Sequence, residues 1–92
     1  MAEITLETLP MLRSLFRLQW EDAQQAWVLL YPEGMVRLNV PAAEILKRCD
    51  GSTNVAALVR DLERAFGAPH LEDDVHEFLR EAADHGWIEL VE

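Results

Sequence analysis

The chain has 92 residues, half of them hydrophobic, and its 17 acidic and 8 basic side chains give a net charge of −9. This length fits one domain with a modest core, which leaves little room for a deep enzyme pocket. Only one basic residue is a lysine (Lys47), and no basic run exceeds two residues. Binding to nucleic acid or to an anionic membrane is therefore not expected, because phosphate recognition needs clustered positive charge.

Cysteine content and the N-terminal sequence bear on the compartment. The single cysteine, Cys49, excludes an internal disulfide. Glu3 and Glu7 precede the first basic residue, Arg13, which is the wrong charge order for a secretory signal. No apolar run approaches the roughly 20 residues that a membrane span needs. We therefore expect a cytoplasmic location.

Residues 1–13 mix Thr, Glu and Leu around Pro10, and we interpret them as a loosely ordered N-terminal arm before a single domain over residues 14–92. The spaced Leu6, Leu9 and Leu12 could dock on another surface, including a second copy of the chain. Both a monomer and a homodimer are therefore open.

The next segment has the two-residue period of strands. Phe16, Leu18 and Trp20 alternate with polar residues, and a continuous apolar run over 26–31 is typical of a central strand. Pro32 and Gly34 suit a type I turn. A third, short strand then covers residues 35–39. The pattern predicts an antiparallel meander in which the first and third strands are edges.

Apolar spacings of three and four then predict three helices. The first begins at Pro41 and ends at Asp50 and Gly51, the second runs from Val55 to Phe66, and the third begins near residue 71 and ends at Gly86. Residues 87–91 alternate as a short C-terminal strand. The expected fold is α+β and winged helix-turn-helix-like, with a three-stranded meander followed by three helices and room for a closing strand.

Catalytic and metal-binding motifs are missing from the sequence. The histidines (His70, His76 and His85) lack helical ligand spacing, and the lone Cys49 lies on an apolar helix face. The four glycines stand singly, so no phosphate-binding loop is present. We expect a protein that is not an enzyme and has no catalytic residues, metal or cofactor.

The third helix also bears on DNA binding. It carries Glu72, Asp73, Asp74, Glu77, Glu81 and Asp84 against a single Arg80, which would repel a phosphate backbone. We therefore keep a winged-helix DNA-binding regulator as the alternative function and not as the main one. A subunit that contributes active-site residues to a partner enzyme is a second rival.

Two surfaces could bind a peptide. The third strand carries one charge, Arg37, and an open edge would accept an extended peptide as an additional strand. The alternative, that the third helix or the terminal strand covers this edge, is equally open. An apolar stripe like that of the third helix more often packs in the core than binds a ligand, although its margin could form one wall of a groove.

Several short segments, in this order and spacing, carry a family resemblance. They include residues 16–20, the Leu-Tyr-Pro-Glu-Gly turn at 30–34, the Cys-Asp-Gly helix end at 49–51, and a segment from Asp74 to Trp87. The sequence from about Leu15 to Ile88 resembles the pyrroloquinoline quinone (PQQ) biosynthesis protein D family (PqqD). The first dozen residues lie outside the resemblance.

The resemblance implies a peptide chaperone with the fold of a RiPP recognition element, where RiPP denotes a ribosomally synthesised and post-translationally modified peptide. Members bind the precursor peptide PqqA and present it to PqqE, a radical S-adenosylmethionine enzyme that cross-links a Glu and a Tyr of the peptide. In related domains the peptide adds to the third strand and lies against the third helix. The candidate binding residues are therefore Met35, Val36, Arg37, Leu38 and Asn39 on the strand, and Val75, Phe78, Leu79 and Ala82 on the helix.

Overall fold

The computed structural model describes residues 3–92, which form five strands and three helices. In chain order these are β1 (Leu9–Leu12), β2 (Arg17–Glu21), β3 (Ala26–Tyr31), β4 (Gly34–Arg37), α1 (Val40–Lys47), α2 (Val55–Phe66), α3 (Glu72–Asp84) and β5 (Ile88–Val91). The predicted α+β architecture, with a meander, three helices and a C-terminal strand, is confirmed.

The meander forms a three-stranded antiparallel sheet in the order β2-β3-β4. Leu29 of β3 lies between Leu18 of β2 and Val36 of β4, and all three side chains pack into the helical core. The next residue along β3, Val28, points to the opposite face and is also fully buried. A strand buried on both faces explains why residues 26–31 form a continuous apolar run.

Asparagine caps set the starts of α1 and α2. The Asn39 side chain accepts a hydrogen bond from the Ala42 N–H at 2.8 Å, and Asn54 accepts one from the Ala57 N–H at 2.9 Å. The prediction that β4 reaches Asn39 is wrong, because an asparagine at this position satisfies a free helical N–H. The first helix also ends earlier than predicted, with Arg48 as its C-cap.

Each of the three helices buries one stripe of side chains in a common core. Leu46 of α1, Leu58 of α2 and Leu79 of α3 are almost fully buried in one core cluster. Phe66 continues the apolar spacing of α2 but is 41% exposed, because it lies one turn beyond the last buried residue, Leu62. No helix within residues 3–92 is long and apolar enough to cross a bilayer.

The N-terminal segment differs from its prediction as a loosely ordered arm. Residues 9–12 form β1, which pairs antiparallel with β5 from Leu9↔Val91 to Leu12↔Ile88. Thr8 is buried and its carbonyl accepts the Val55 N–H at 2.9 Å. The segment is ordered because β5 and the start of α2 supply its hydrogen-bond partners. Residues 1 and 2 of the predicted arm lie outside the described residues.

Candidate functional site

One long edge of β4 has no strand beside it in the described part of the chain. β4 pairs with β3, whereas β5 pairs with β1 in a separate sheet. The alternative in which the terminal strand covers β4 is therefore wrong. An unpaired strand edge presents backbone donors and acceptors to any extended chain that approaches it.

The phase of the β3–β4 ladder decides which groups face this edge. The Leu38 N–H donates to the Trp27 carbonyl at 2.9 Å, so the 27–38 pair is hydrogen-bonded. Bonding alternates along an antiparallel ladder, which makes Val36 the next residue bonded to β3. Met35 and Arg37 therefore direct their N–H and C=O groups away from the sheet. These two residues supply the outward backbone groups of the edge.

The side chains of β4 divide between two faces. Met35 is 45% exposed and Arg37 is exposed, and both lie on the face opposite the helices. Val36 is half-buried against the core. Leu38 is buried and Asn39 caps α1, so these two predicted site residues have structural roles. The accessible strand positions are residues 35–37.

The predicted helix wall is largely internal. Val75, Leu79 and Ala82 are at most 1% exposed, so a peptide on the surface cannot contact them without displacing the core. Phe78 is half-buried at the margin of the same cluster and is the member of this stripe that reaches solvent. Helical spacing identifies the apolar face of a helix but not how much of its margin remains exposed. The sequence prediction therefore placed core residues and a surface residue in one binding wall.

A groove that the sequence did not reveal lies where β4 passes into α1. Its volume is about 630 Å³, and it is lined by Trp20, Gln25, Ala26, Trp27, Arg37, Leu38, Asn39 and Val40. Trp20 and Trp27 meet edge to face with ring centroids 5.9 Å apart. The Lys47 ammonium sits 4.2 Å from the Trp27 ring centroid. A tryptophan on the edge strand β2 was the sequence signal that could have indicated this groove.

Cys49 and Arg48, which lie away from the β4 edge, are held in contacts that stabilise the fold. Burial raises the pKa of the Cys49 thiol to about 12, and its Sγ donates to the Ile45 carbonyl at 3.3 Å. Arg48 bonds Glu44 at 2.9 Å and Asp61 at 2.6 Å, which fastens α1 to α2. Within residues 3–92, no three His, Cys, Asp or Glu side chains converge as metal ligands would.

Comparison with known proteins matches this architecture. The family model of coenzyme PQQ synthesis protein D (PqqD) covers residues 26–88. The chain is 52% identical over 91 residues to a PqqA binding protein of Azotobacter vinelandii, covering 98% of this chain and 99% of that one. It is 51% identical over 82 residues to a PqqA binding protein of Methylococcus capsulatus, covering 89% and 88% of the two chains.

A solved structure shares the fold. The solution NMR structure of the PqqD truncation of Methylobacterium extorquens PqqCD, described as a functional and stand-alone RiPP recognition element, matches with a TM-score of 0.73. The two chains are 28% identical, and the match covers 87% of each. The family match, the close relatives and the shared fold show that this chain belongs to the PqqD family.

Proposed function

We propose that this chain is a non-catalytic peptide chaperone of PQQ biosynthesis, which binds the precursor peptide PqqA by strand addition and presents it to the radical enzyme PqqE. Relatives about half identical to it are named PqqA binding proteins. The observation that carries the proposal is the unpaired edge of β4, where Met35 and Arg37 direct their backbone groups outward.

Strand addition separates affinity from selectivity. Backbone hydrogen bonds to Met35 and Arg37 accept almost any sequence, because every peptide carries the same main-chain groups. Selection comes from the side chains beside the edge. Val36 and Phe78 are both partly buried against the core, and they would offer apolar contact to one face of an added strand. The strand itself is short and contains Arg37, which limits unwanted pairing with other sheet edges.

Presentation to PqqE is the second part of the proposal. A peptide held as a strand loses conformational freedom before it meets the enzyme, so less ordering remains at the active site. Binding of the carrier to the enzyme would also raise the local concentration of the peptide. These two effects need no catalytic group on the carrier.

The DNA-binding alternative is disfavoured by the surface of α3. Asp73, Asp74, Glu77 and Glu81 are all exposed and Arg80 is the one cation of the helix. A helix with this charge would be repelled by the phosphates that border the major groove. The relatives likewise carry the name of a peptide-binding protein.

Calorimetric titration of PqqA into two variants at one position tests strand addition. Arg37→Pro removes an outward N–H and crowds the edge, whereas Arg37→Ala removes the side chain and keeps the N–H. We expect the proline variant to bind at least about tenfold more weakly than the alanine variant, since it loses a backbone hydrogen bond and close strand contact. A folded proline variant with the affinity of the alanine variant would contradict strand addition.

A separate assay tests presentation. Cross-linking of PqqA by purified PqqE is followed by mass spectrometry with and without this chain. We expect the product to accumulate when the chain is present and to fall strongly without it. Equal product in both reactions would show that presentation by this chain is not required.

A further inference from the structure

The groove beside α1 has the character of a binding surface for a large apolar side chain. Trp20 is 44% exposed and Val40 is 61% exposed, and both line the same concavity. Large apolar side chains gathered at one exposed site on a small domain are typical of an interaction surface. A folded monomer gains nothing from leaving them in water.

The walls of the groove are held in place before any ligand arrives. The Lys47 ammonium lies over the Trp27 ring, and the Trp20 and Trp27 rings meet in an edge-to-face pair. Lys47 is in turn paired with Glu44 at 2.8 Å. Ordered aromatic walls favour binding because less side-chain entropy is lost when an occupant enters.

Charge narrows the class of occupant. The protein carries a net charge of −9, yet the groove lining contains Arg37 and no carboxylate. The remaining lining groups are aromatic, aliphatic or amide side chains. Such a surface suits an uncharged apolar or aromatic group. The rest of this acidic protein attracts cationic side chains, but the groove would not, because no carboxylate lines it.

The groove is continuous with the edge of β4. Arg37 belongs both to that edge and to the groove lining, and Leu38 and Asn39 continue from one into the other. An added strand would lie roughly 4.8 Å from β4. At the end next to Arg37, the peptide segment beyond the paired residues would continue towards Leu38, Asn39 and Val40 of the groove lining, whereas Trp20 lies on β2, two strands from β4.

We infer that this groove takes a bulky apolar or aromatic side chain of the same peptide that pairs with β4. This inference rests on the proposed peptide binding. The side chain anchors the peptide against Trp20 and Trp27 and fixes the register of the added strand. Backbone pairing alone leaves that register free, because a slip of two residues preserves every hydrogen-bonding direction.

Two variants of the full chain test the anchor by calorimetry with PqqA. Trp20→Ala removes an exposed wall, and Val40→Glu places a charge in the groove at the first position of α1, where a carboxylate suits the helix dipole. Phe66→Ala is the control, since Phe66 is 41% exposed but lies at the end of α2 outside the groove. Circular dichroism establishes that each variant is folded.

We expect both groove variants to bind PqqA about tenfold or more weakly and the control to stay within about twofold, as for loss of a central aromatic contact. One bulky apolar residue of PqqA, replaced by alanine, should weaken binding to the unmodified chain but not to the Trp20→Ala variant. Unchanged PqqA affinity in both groove variants would overturn the inference, including the case in which they lose only PqqE-dependent turnover. The Arg37→Pro variant tests strand addition and not the groove. Its result therefore distinguishes failure of the proposed function from failure of the groove inference.

Discussion

Gly51 packs against Met11, with no room for a side chain between them. A β-carbon added at Gly51 would lie 2.8 Å from the Met11 sulfur and 3.2 Å from its Cγ, and the backbone there has φ of +78°. Gly86 has the same φ of +78° but open space around it. The two glycines share one left-handed backbone conformation and differ in the contact with β1.

This pair predicts unequal losses of stability. Gly86→Ala should lower the free energy of unfolding by about 1 kcal/mol through backbone strain alone. Gly51→Ala should cost roughly 1 kcal/mol more, because Met11 has to leave its position beside the loop. Urea unfolding followed by circular dichroism measures both values. Equal losses in the two variants would mean that β1 does not pack on this loop as described.

Adjacent residues of α3 separate core from surface. Leu79 is fully buried, whereas Phe78 reaches solvent at the margin. Leu79→Ala should destabilise the domain by about 3 kcal/mol, since it leaves a cavity in the core. Phe78→Ala should cost less stability and weaken PqqA binding. A Leu79→Ala variant with the stability of the unmodified chain would contradict the assignment of this residue to the core.

The Arg48 network should make stability sensitive to acid. Hydrogen bonds from Lys47 and then Arg48 lower the pKa of Glu44, and Arg48 and then Arg64 lower that of Asp61. Carboxyls with a lowered folded-state pKa stabilise the fold fully above their ordinary values of 4.5 and 3.8, and this contribution is lost as the pH falls below them.

Arg48→Met should therefore lower the free energy of unfolding at pH 7, with a smaller difference at pH 3. Arg64→Met is the matched control, because Arg64 bonds the same Asp61 but its side chain is 72% exposed. Urea unfolding across this pH range measures the difference. A difference that does not shrink towards low pH would argue against ion pairing as its cause.

Cys49 should be unreactive in the folded protein. Its side chain is buried and its pKa is raised to about 12, so little thiolate exists near neutral pH. Reaction with an aromatic disulfide reagent should be slow in buffer and fast in denaturant, as followed by absorbance. Immediate stoichiometric labelling of the folded chain would contradict this environment.

Local sequence patterns were sufficient to predict those helices and strands whose bounds depend only on their own residues. The bounds of α2 and the central strand β3 agree with the sequence prediction, because periodicity and caps are local. β1 was missed because its partner, β5, lies at the other end of the chain and Pro10 weakens the strand pattern. The groove at Trp20 depends on how separate elements meet, which periodicity does not encode. The Asn39 cap is a local signal, but the third strand was predicted to extend over this residue.

The most direct test is an NMR titration of the ¹⁵N-labelled chain with PqqA, combined with amide hydrogen exchange. The account predicts that the amides of Met35 and Arg37 shift and become protected, because the peptide accepts their outward N–H groups. Glu89 on β5 should remain unchanged. Protection of β5 amides instead, with no change at Met35 and Arg37, would contradict peptide binding at β4.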